Sequence, residues 1–310
     1  MADIVISEFM DMDSVEALRK DFSVVYDEKL VEKPEELTAL AAECRALIVR
    51  NRTQVRGALL ENVKKMTVVG RLGVGLDNID MAACKEKNVT VIPATGANDI
   101  SVAEYVISGL LMMARGCYGD SAEVAGGKWP RAKQIGGEIY GKTLGLIGFG
   151  SIAREVATRA RAMGMKLVAY DPFVPADSPC WTTYDTQPTS FDGLLEQADA
   201  ISLHVPLTPE TKYLLNAECI GKMRPGVWLV NSSRGGVVDE RALVNGLVSG
   251  NVGGAMLDVY ENEPLPAGSV FADAPRCILT AHIGGVTRES NVRVSSLIAQ
   301  KVKEALGKQS

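Results

Sequence analysis

Short β-branched runs alternate along this chain with amphipathic or Ala/Glu/Lys-rich stretches. Over the first third, "DIVIS", "FSVVY", "RALIVR", "MTVVGR" and "VTVI" are spaced by segments such as "SVEALRKD" and "MAACKEKN". Such alternation predicts βαβ units around a parallel sheet, so residues 1 to about 97 read as one complete doubly wound unit. The pattern restarts with "TLGLIGFG", "KLVAYD", "AISLHV", "VWLVN", "GGAMLDV" and "CILTAH", which predicts a second open α/β sheet. Between the two, "SVAEYVISGLLMMAR" is apolar on nearly every side but too short for a membrane span of about 20 residues. It reads as a buried helix, inside the protein or at a subunit contact. In the last segment Val292, Ile298, Ala299, Val302, Ala305 and Leu306 fit one face of a helix, which is expected to pack back on the first domain. The chain would then cross twice between two doubly wound domains, with a cleft between them.

At 310 residues the chain has room for two domains, and 46% apolar with 23% charged residues is the composition of a soluble globular protein. A net charge of -5 argues against nucleic acid as a main partner, since phosphate backbones need a basic surface. Any anion bound here needs a local basic site. Six cysteines (Cys44, Cys84, Cys117, Cys180, Cys219, Cys277) are scattered with no Cys-x-x-Cys pair, so reduced core thiols are expected rather than a disulfide framework or zinc site. "MADIVISEFMD" lacks a basic leader and a cleavage site, and reads as a first strand; a cytoplasmic location follows.

The strongest motif is Gly148-Phe149-Gly150-Ser151-Ile152-Ala153, a G-x-G-x-x-A pattern directly after a predicted strand and opening a helix. Asp171 ends the next strand, "KLVAYD", roughly twenty residues on, as a dinucleotide fingerprint requires. Gly148 permits the tight turn, Gly150 leaves room for a pyrophosphate, and the helix N-terminus attracts its charge. Asp171 would accept hydrogen bonds from ribose hydroxyls and repel a 2′-phosphate, which favours NAD over NADP. No arginine follows it in Pro172 and Phe173.

Three segments near predicted strand ends carry the types a hydroxy-acid dehydrogenase needs: "NSSRGGVVDE" with Arg234, "LDVYENEPLP" with Glu263, and "LTAHIGG" with His282. A histidine titrating near neutrality can take the hydroxyl proton as hydride leaves, and a nearby carboxylate would orient it and favour its protonated form. An arginine can grip a substrate carboxylate through two prongs. Taken singly, each has a bland explanation as a surface cation, a loop acid or a core histidine. The only other histidine, His204 in "AISLHVPLTPET", also follows a strand and reads as lining the cofactor pocket. Gly284 and Gly285 would let the backbone approach the nicotinamide closely.

With "GRLGVGLDNID", "GANDISVAEY", "LGLIGFGSIAREVA", "HVPLTPETKYLLN", "NSSRGGVVDE", "LDVYENEP" and "TAHIGGVT" together, nearly the whole chain resembles the D-2-hydroxyacid dehydrogenase family, particularly its phosphoglycerate dehydrogenase branch. The resemblance implies a flavodoxin-like substrate domain from residues 1–97 plus 288–310 and a Rossmann NAD-binding domain over residues 98–287. It implies Arg234 as substrate anchor, His282 as acid/base and Glu263 as its carboxylate partner. Cofactor contacts would come from Gly148, Gly150, Ser151, Ile152, Asp171, His204, Pro206, Ser232, Asp258, His282 and Gly284, with Asp258 facing the nicotinamide carboxamide. Substrate contacts would come from Arg50, Asn51, Arg52, Val74, Gly75, Asn98 and Arg234, the backbone amides of Val74 and Gly75 holding the substrate carboxylate. Subunits would form a homodimer through their nucleotide domains. A chain ending at Ser310 is not expected to carry the regulatory domain through which serine feedback acts in some relatives.

"LIVRNRTQV" places Arg50 and Arg52 just after a strand of the first domain, where two cations in an acidic protein imply a second anionic group on the substrate. Two solvated loop arginines are the plain alternative. Three-carbon acids with an anion on C3 are favoured, 3-phosphoglycerate and 3-sulfolactate above all. The likeness is greatest to the sulfolactate-oxidising members of the branch, which implies (S)-3-sulfolactate and 3-sulfopyruvate as the reacting pair. The alternatives are D-3-phosphoglycerate oxidation, reduction of hydroxypyruvate or glyoxylate, and, without catalysis, an NAD-sensing protein like the family's corepressors.

Overall fold

The computed structural model describes residues 2–116 and 121–307, which fall into two compact units, one built from the chain up to Asn98 and from Val286 onward, the other from Asp99–Gly285. The first unit holds β1 (Ile4–Ile6), β2 (Val24–Tyr26), β3 (Ala46–Val49), β4 (Val68–Arg71) and β5 (Thr90–Pro93). Their order is β2-β1-β3-β4-β5 and every pairing is parallel, the flavodoxin-like winding. Parallel strands covered on both faces must be apolar throughout, and Ile4, Val5, Ile6 and Ala46 to Val49 are wholly buried. Ile4, Ile6 and Ile48 pack in one cluster with the helix Arg288–Gly307; Val5, Leu47 and Val49 pack in another with Leu37 and Ala41 of the helix Pro34–Glu43. Each fully buried Ile, Leu or Val here contributes about 1.5–3 kcal/mol.

The helix Arg288–Gly307 does pack on this sheet, but its buried stripe runs through Val294, Ser295, Ile298, Ala299, Val302 and Leu306. Val292 is 51% exposed and does not belong to that face. The steps of four from 294 to 306 keep one side inward, and a residue two positions before 294 lies on the opposite side. The helix comes so close that a Cβ added at Gly70 would lie 2.8 Å from Ile298 Cγ2 and 2.9 Å from Val302 Cγ2.

The second unit holds β6 (Thr143–Ile147), β7 (Lys166–Tyr170), β8 (Gln187–Pro188), β9 (Ala200–Leu203), β10 (Val227–Asn231), β11 (Val252–Leu257) and β12 (Cys277–Leu279). The order is β12-β11-β10-β9-β6-β7-β8, again all parallel. This is the Rossmann winding with one further strand on the β11 side. The two-residue β8 is too short to announce itself by alternation. The winding reverses between β6 and β9, so a crevice opens where their carboxyl ends part.

The helix Asp99–Arg115 buries one face, Val102, Ala103, Val106, Gly109, Leu110 and Ala114, within its own unit against the helix Ser151–Ala162, β10 and β11. Its other side, with Glu104 and Ser108, is exposed, so it is amphipathic rather than apolar all round. Among the described residues no helix is long and apolar enough to cross a membrane. Five cysteines are free; Cys44 and Cys84 are core thiols, whereas Cys180, Cys219 and Cys277 are only half-buried, and Cys117 lies outside the described residues.

Candidate active site

The switch-point crevice is lined by the glycine fingerprint. Gly148 has φ +86, and a Cβ there would fall 2.5 Å from the His204 carbonyl oxygen, so the β6 turn can press against the end of β9 only as glycine. Phe149 turns inward, fully buried and stacked on Trp181 at 4.7 Å. A Cβ on Gly150 would meet nothing within 4 Å, and the helix Ser151–Ala162 begins there without a side-chain cap. Open space before uncapped helical amides is what an anionic pyrophosphate requires. Ser151 is exposed, Ile152 half-buried, and Ala153 wholly buried, giving close contact of helix and sheet.

Asp171 stands at the end of β7. Its Oδ2 accepts the Phe149 N–H at 2.8 Å and its Oδ1 the Phe173 N–H at 2.9 Å, so the carboxylate is fixed beside the glycine turn. Past β10, the buried Ser232 hydroxyl has no partner among the described residues, an orphan that a bound group can satisfy. These residues fit a dinucleotide.

The two histidines stand in opposite surroundings. His204 Nε2 lies 2.9 Å from Ser202 Oγ, and desolvation pushes its pKa down to about 4. It is neutral at neutral pH and ill suited to exchanging protons there. The Pro206 carbonyl accepts a hydrogen bond from Thr211 Oγ1 at 2.6 Å in the exposed loop that follows.

His282 has an exposed side chain, and its Nδ1 lies 2.8 Å from Glu263 Oε2. Glu263 Oε1 accepts the Tyr260 N–H at 3.1 Å. Burial would raise the Glu263 pKa, but the hydrogen bond and charge of His282, the Tyr260 amide and the Arg234 charge outweigh it and hold the carboxyl below its ordinary value. Glu263 is thus an anion across the neutral range, and with Nδ1 turned to it, Nε2 is the ring nitrogen left for a substrate.

Arg234 is presented by a turn at the end of β10. Asn231 Oδ1 accepts from the Ser233 N–H at 3.0 Å and the Ser233 hydroxyl at 2.8 Å, while Asn231 Nδ2 donates to the Arg234 carbonyl at 3.0 Å. A Cβ on Gly235 would lie 1.8 Å from the Tyr260 carbonyl oxygen. Backbone on backbone, the Arg234 turn therefore abuts the loop that carries Glu263.

His282 sits in the left-handed region, φ 55, where a non-glycine residue costs about 1–3 kcal/mol. Asp258, 1% exposed, holds it there. The Asp258 carbonyl accepts the His282 N–H at 2.9 Å, Oδ1 accepts from Ile283 N–H at 2.7 Å and Thr280 Oγ1 at 2.6 Å, and Oδ2 accepts the Gly284 N–H at 2.7 Å. Tyr105 OH lies 2.7 Å from Thr280 Oγ1. A Cβ on Gly284 would meet Asp258 Oδ2 at 2.9 Å and Tyr105 Cγ at 3.4 Å, so the close approach this glycine permits is to protein groups.

Sequence reasoning singled out Asp258 but missed Thr280 and Tyr105. Neither has a chemical type or spacing that marks it without its partners.

The first unit carries the other expected groups. Arg50 is half-buried, its Nη2 donates to Asn291 Oδ1 at 3.0 Å, and its guanidinium carbon lies 5.7 Å from the Phe9 ring centre. Arg52 is exposed and pairs with Glu32 at 3.1 Å; Asn51 is exposed beside it. Beyond β4, Val74 and Gly75 are half-buried, and neither amide finds an acceptor among the described residues. The Asn98 Oδ1 is buried and has no partner among the described residues.

The chain belongs to the D-isomer specific 2-hydroxyacid dehydrogenase family, whose NAD-binding domain its residues 107–284 match. It is 50% identical over 307 residues to a protein of Chromohalobacter salexigens named (S)-sulfolactate dehydrogenase, covering 99% of each chain. It is 37% identical over 309 residues to D-3-phosphoglycerate dehydrogenase of Synechocystis sp., spanning 99% of this chain and 54% of that one. The crystal structure of a glyoxylate reductase of Paecilomyes thermophila matches it with a TM-score of 0.84 at 29% identity, over 98% of this chain and 95% of the other. The protein is therefore an NAD-dependent oxidoreductase of 2-hydroxy acids, with NAD as cofactor and the two doubly wound sheets that the strand pattern predicts.

Proposed function

We propose that the protein interconverts (S)-3-sulfolactate and 3-sulfopyruvate with NAD, His282 acting as acid/base, Glu263 orienting it and Arg234 binding the substrate carboxylate. The observation that carries the chemistry is the 2.8 Å contact of His282 Nδ1 with Glu263 Oε2 at the carboxyl end of the second sheet. Bound NAD supplies the acceptor for the C2 hydrogen and its electron pair. His282 Nε2 takes the hydroxyl proton as the C2–O bond becomes a carbonyl, and returns it in the reverse direction. Glu263 offsets the charge that the imidazole gains. Gly148, Gly150, Ser151, Ile152, Asp171, His204, Pro206, Ser232, Asp258, His282 and Gly284 would hold the cofactor, and Val74, Gly75 and Asn98 would contribute to the substrate carboxylate.

Support for an anion on C3 comes from Arg50, a half-buried guanidinium with no carboxylate in ion-pair range among the described residues. Arg52 and Asn51 flank it on the same loop. Sulfonate rather than phosphate is favoured by the full-length relative at 50% identity. Steady-state rates with NAD on (S)-sulfolactate, D-3-phosphoglycerate, D-glycerate and D-lactate test this. The highest kcat/KM is expected for sulfolactate, and a higher value for phosphoglycerate or an uncharged acid overturns the assignment.

We further infer a cytoplasmic homodimer assembled through the second unit. Trp129, Ile135 and Tyr140 there are 81%, 81% and 76% exposed, more large apolar surface than one short segment ordinarily leaves to water. Light scattering of the protein and of Trp129→Arg checks the dimer; a monomer before substitution refutes it.

A further inference from the structure

Glu8, two residues past the end of β1, is only 4% exposed, and no cation forms an ion pair with it among the described residues. Main-chain donors surround it instead. Its Oε1 accepts the N–H of Arg50 at 2.9 Å and of Thr53 at 3.0 Å, and its Oε2 accepts the N–H of Arg52 at 3.1 Å. Three of the four amides from Arg50 to Thr53 thus converge on one carboxylate. The carbonyl side of the same loop is tied by Asn78, whose Nδ2 donates to the oxygens of Arg50 at 2.9 Å and Thr53 at 2.7 Å. Thr53 Oγ1 lies 2.9 Å from Ser7 Oγ.

A carboxylate out of water is costly unless its lone pairs are filled, and these bonds to ionised oxygen are the strong kind. The arrangement exceeds what packing a four-residue loop requires. Its yield is a fixed backbone from which Arg50 reaches Phe9 and Asn291 while Arg52 reaches Glu32. The exposed Arg52–Glu32 pair is weak and easily exchanged for another anion. Glu8's charge also supports the Arg50 cation, whose desolvation works against it.

We propose that Glu8 is a positioning residue for the substrate, an internal anion that folds the Arg50–Thr53 loop so that its arginines can receive the C3 anionic group. This rests on the reading that Arg50 binds that group. A neutral glutamine offers one acceptor oxygen and one donor nitrogen to three N–H groups, so at least one donor would face another.

The test compares Glu8→Gln, Glu8→Asp and Arg50→Ala on (S)-sulfolactate, D-3-phosphoglycerate and D-lactate, with NAD saturating. For Glu8→Gln, KM for the two C3-anionic acids is expected to rise at least tenfold with kcat within twofold, while kinetics on D-lactate and KM for NAD stay put. Glu8→Asp, charged but one methylene short, should give a smaller rise and serves alone if Glu8→Gln does not fold. An unchanged KM for the anionic acids, or an equal loss on D-lactate, overturns the proposal. An unchanged KM in Arg50→Ala instead overturns the reading of a C3 anion site, whatever Glu8 does.

Discussion

The imidazole of His282 is turned by a single neighbour: Glu263 Oε2 stands 2.8 Å from its Nδ1, and the carboxyl is held ionised by that contact, the Tyr260 amide and Arg234. Glu263→Gln keeps the shape and removes the charge that offsets an imidazolium. Its kcat should fall by roughly 10²-fold, within the range general acid–base groups contribute, with KM for NAD little altered. Stopped-flow single turnovers would show the loss in the chemical step. A kcat within twofold of the parent would mean that Glu263 does not act on His282.

His204 gives a prediction about stability. Its pKa is about 4 in the fold against an ordinary 6.5, so between these values the unfolded chain binds a proton that the folded one does not. The contribution is whole above pH 6.5 and lost as pH falls through about 4. At about 1.4 kcal/mol per pKa unit, the loss is on the order of 3–4 kcal/mol. His204→Gln, which can still bond Ser202, should flatten that part of the curve. Urea unfolding of parent and variant from pH 7 to pH 4 measures the difference, and parallel curves would contradict it.

The sequence made legible whatever depends on backbone demand or on chemical type at a strand end. Gly148, Gly150 and Ala153 are read from the turn and helix they must build, and Asp171 from its distance to them. His282, Glu263 and Arg234 are read because a hydroxy-acid oxidation needs those three groups. What stayed hidden are residues whose roles are only partnerships across the chain. Glu8 is one acid among many until three amides more than forty residues away turn to it, and Tyr105 is one more helix residue until Thr280, 175 positions on, comes within 2.7 Å. The slip at Val292 has a different origin, since a helical face read from apolar residues alone overlooks that Ser295 shares the buried side with Val294.

Asp258 is marked in the sequence, but the partners it gathers are not. Its carboxylate collects Thr280, Ile283 and Gly284, and Thr280 in turn meets Tyr105. Asp258→Asn replaces one acceptor oxygen by a donor facing an N–H or hydroxyl, which leaves a buried pair unsatisfied at about 1–3 kcal/mol. Because the His282 loop hangs on those bonds, kcat should fall more than tenfold. Tyr105→Phe removes only the outermost bond, so it should lose about 0.5–1.5 kcal/mol of stability and keep kcat within a few fold. Thermal unfolding and steady-state rates of both variants check the ranking; a larger kcat loss in Tyr105→Phe would reverse it.

Gly235 and Gly236 separate packing from conformation at adjacent positions. At Gly235 an added Cβ would lie 1.8 Å from the Tyr260 carbonyl oxygen and 2.0 Å from its carbon, backbone atoms that no rotamer change can move aside. Relief requires the turn after β10 to draw away from the loop after β11, and with it Arg234 from Glu263. At Gly236 the nearest atoms are the Leu207 side-chain ends at 3.6 Å and 3.7 Å, and the cost is that of φ +77 for alanine, about 1–2 kcal/mol. Gly235→Ala should therefore lose about 3 kcal/mol or more, as overpacking against an immovable wall does at its upper end, together with most of its activity. Gly236→Ala should lose about 1–2 kcal/mol and stay active. Unfolding midpoints measured beside kcat/KM distinguish the two, and comparable activity in both variants would show that the contact of the Arg234 turn with Tyr260 does not matter to catalysis.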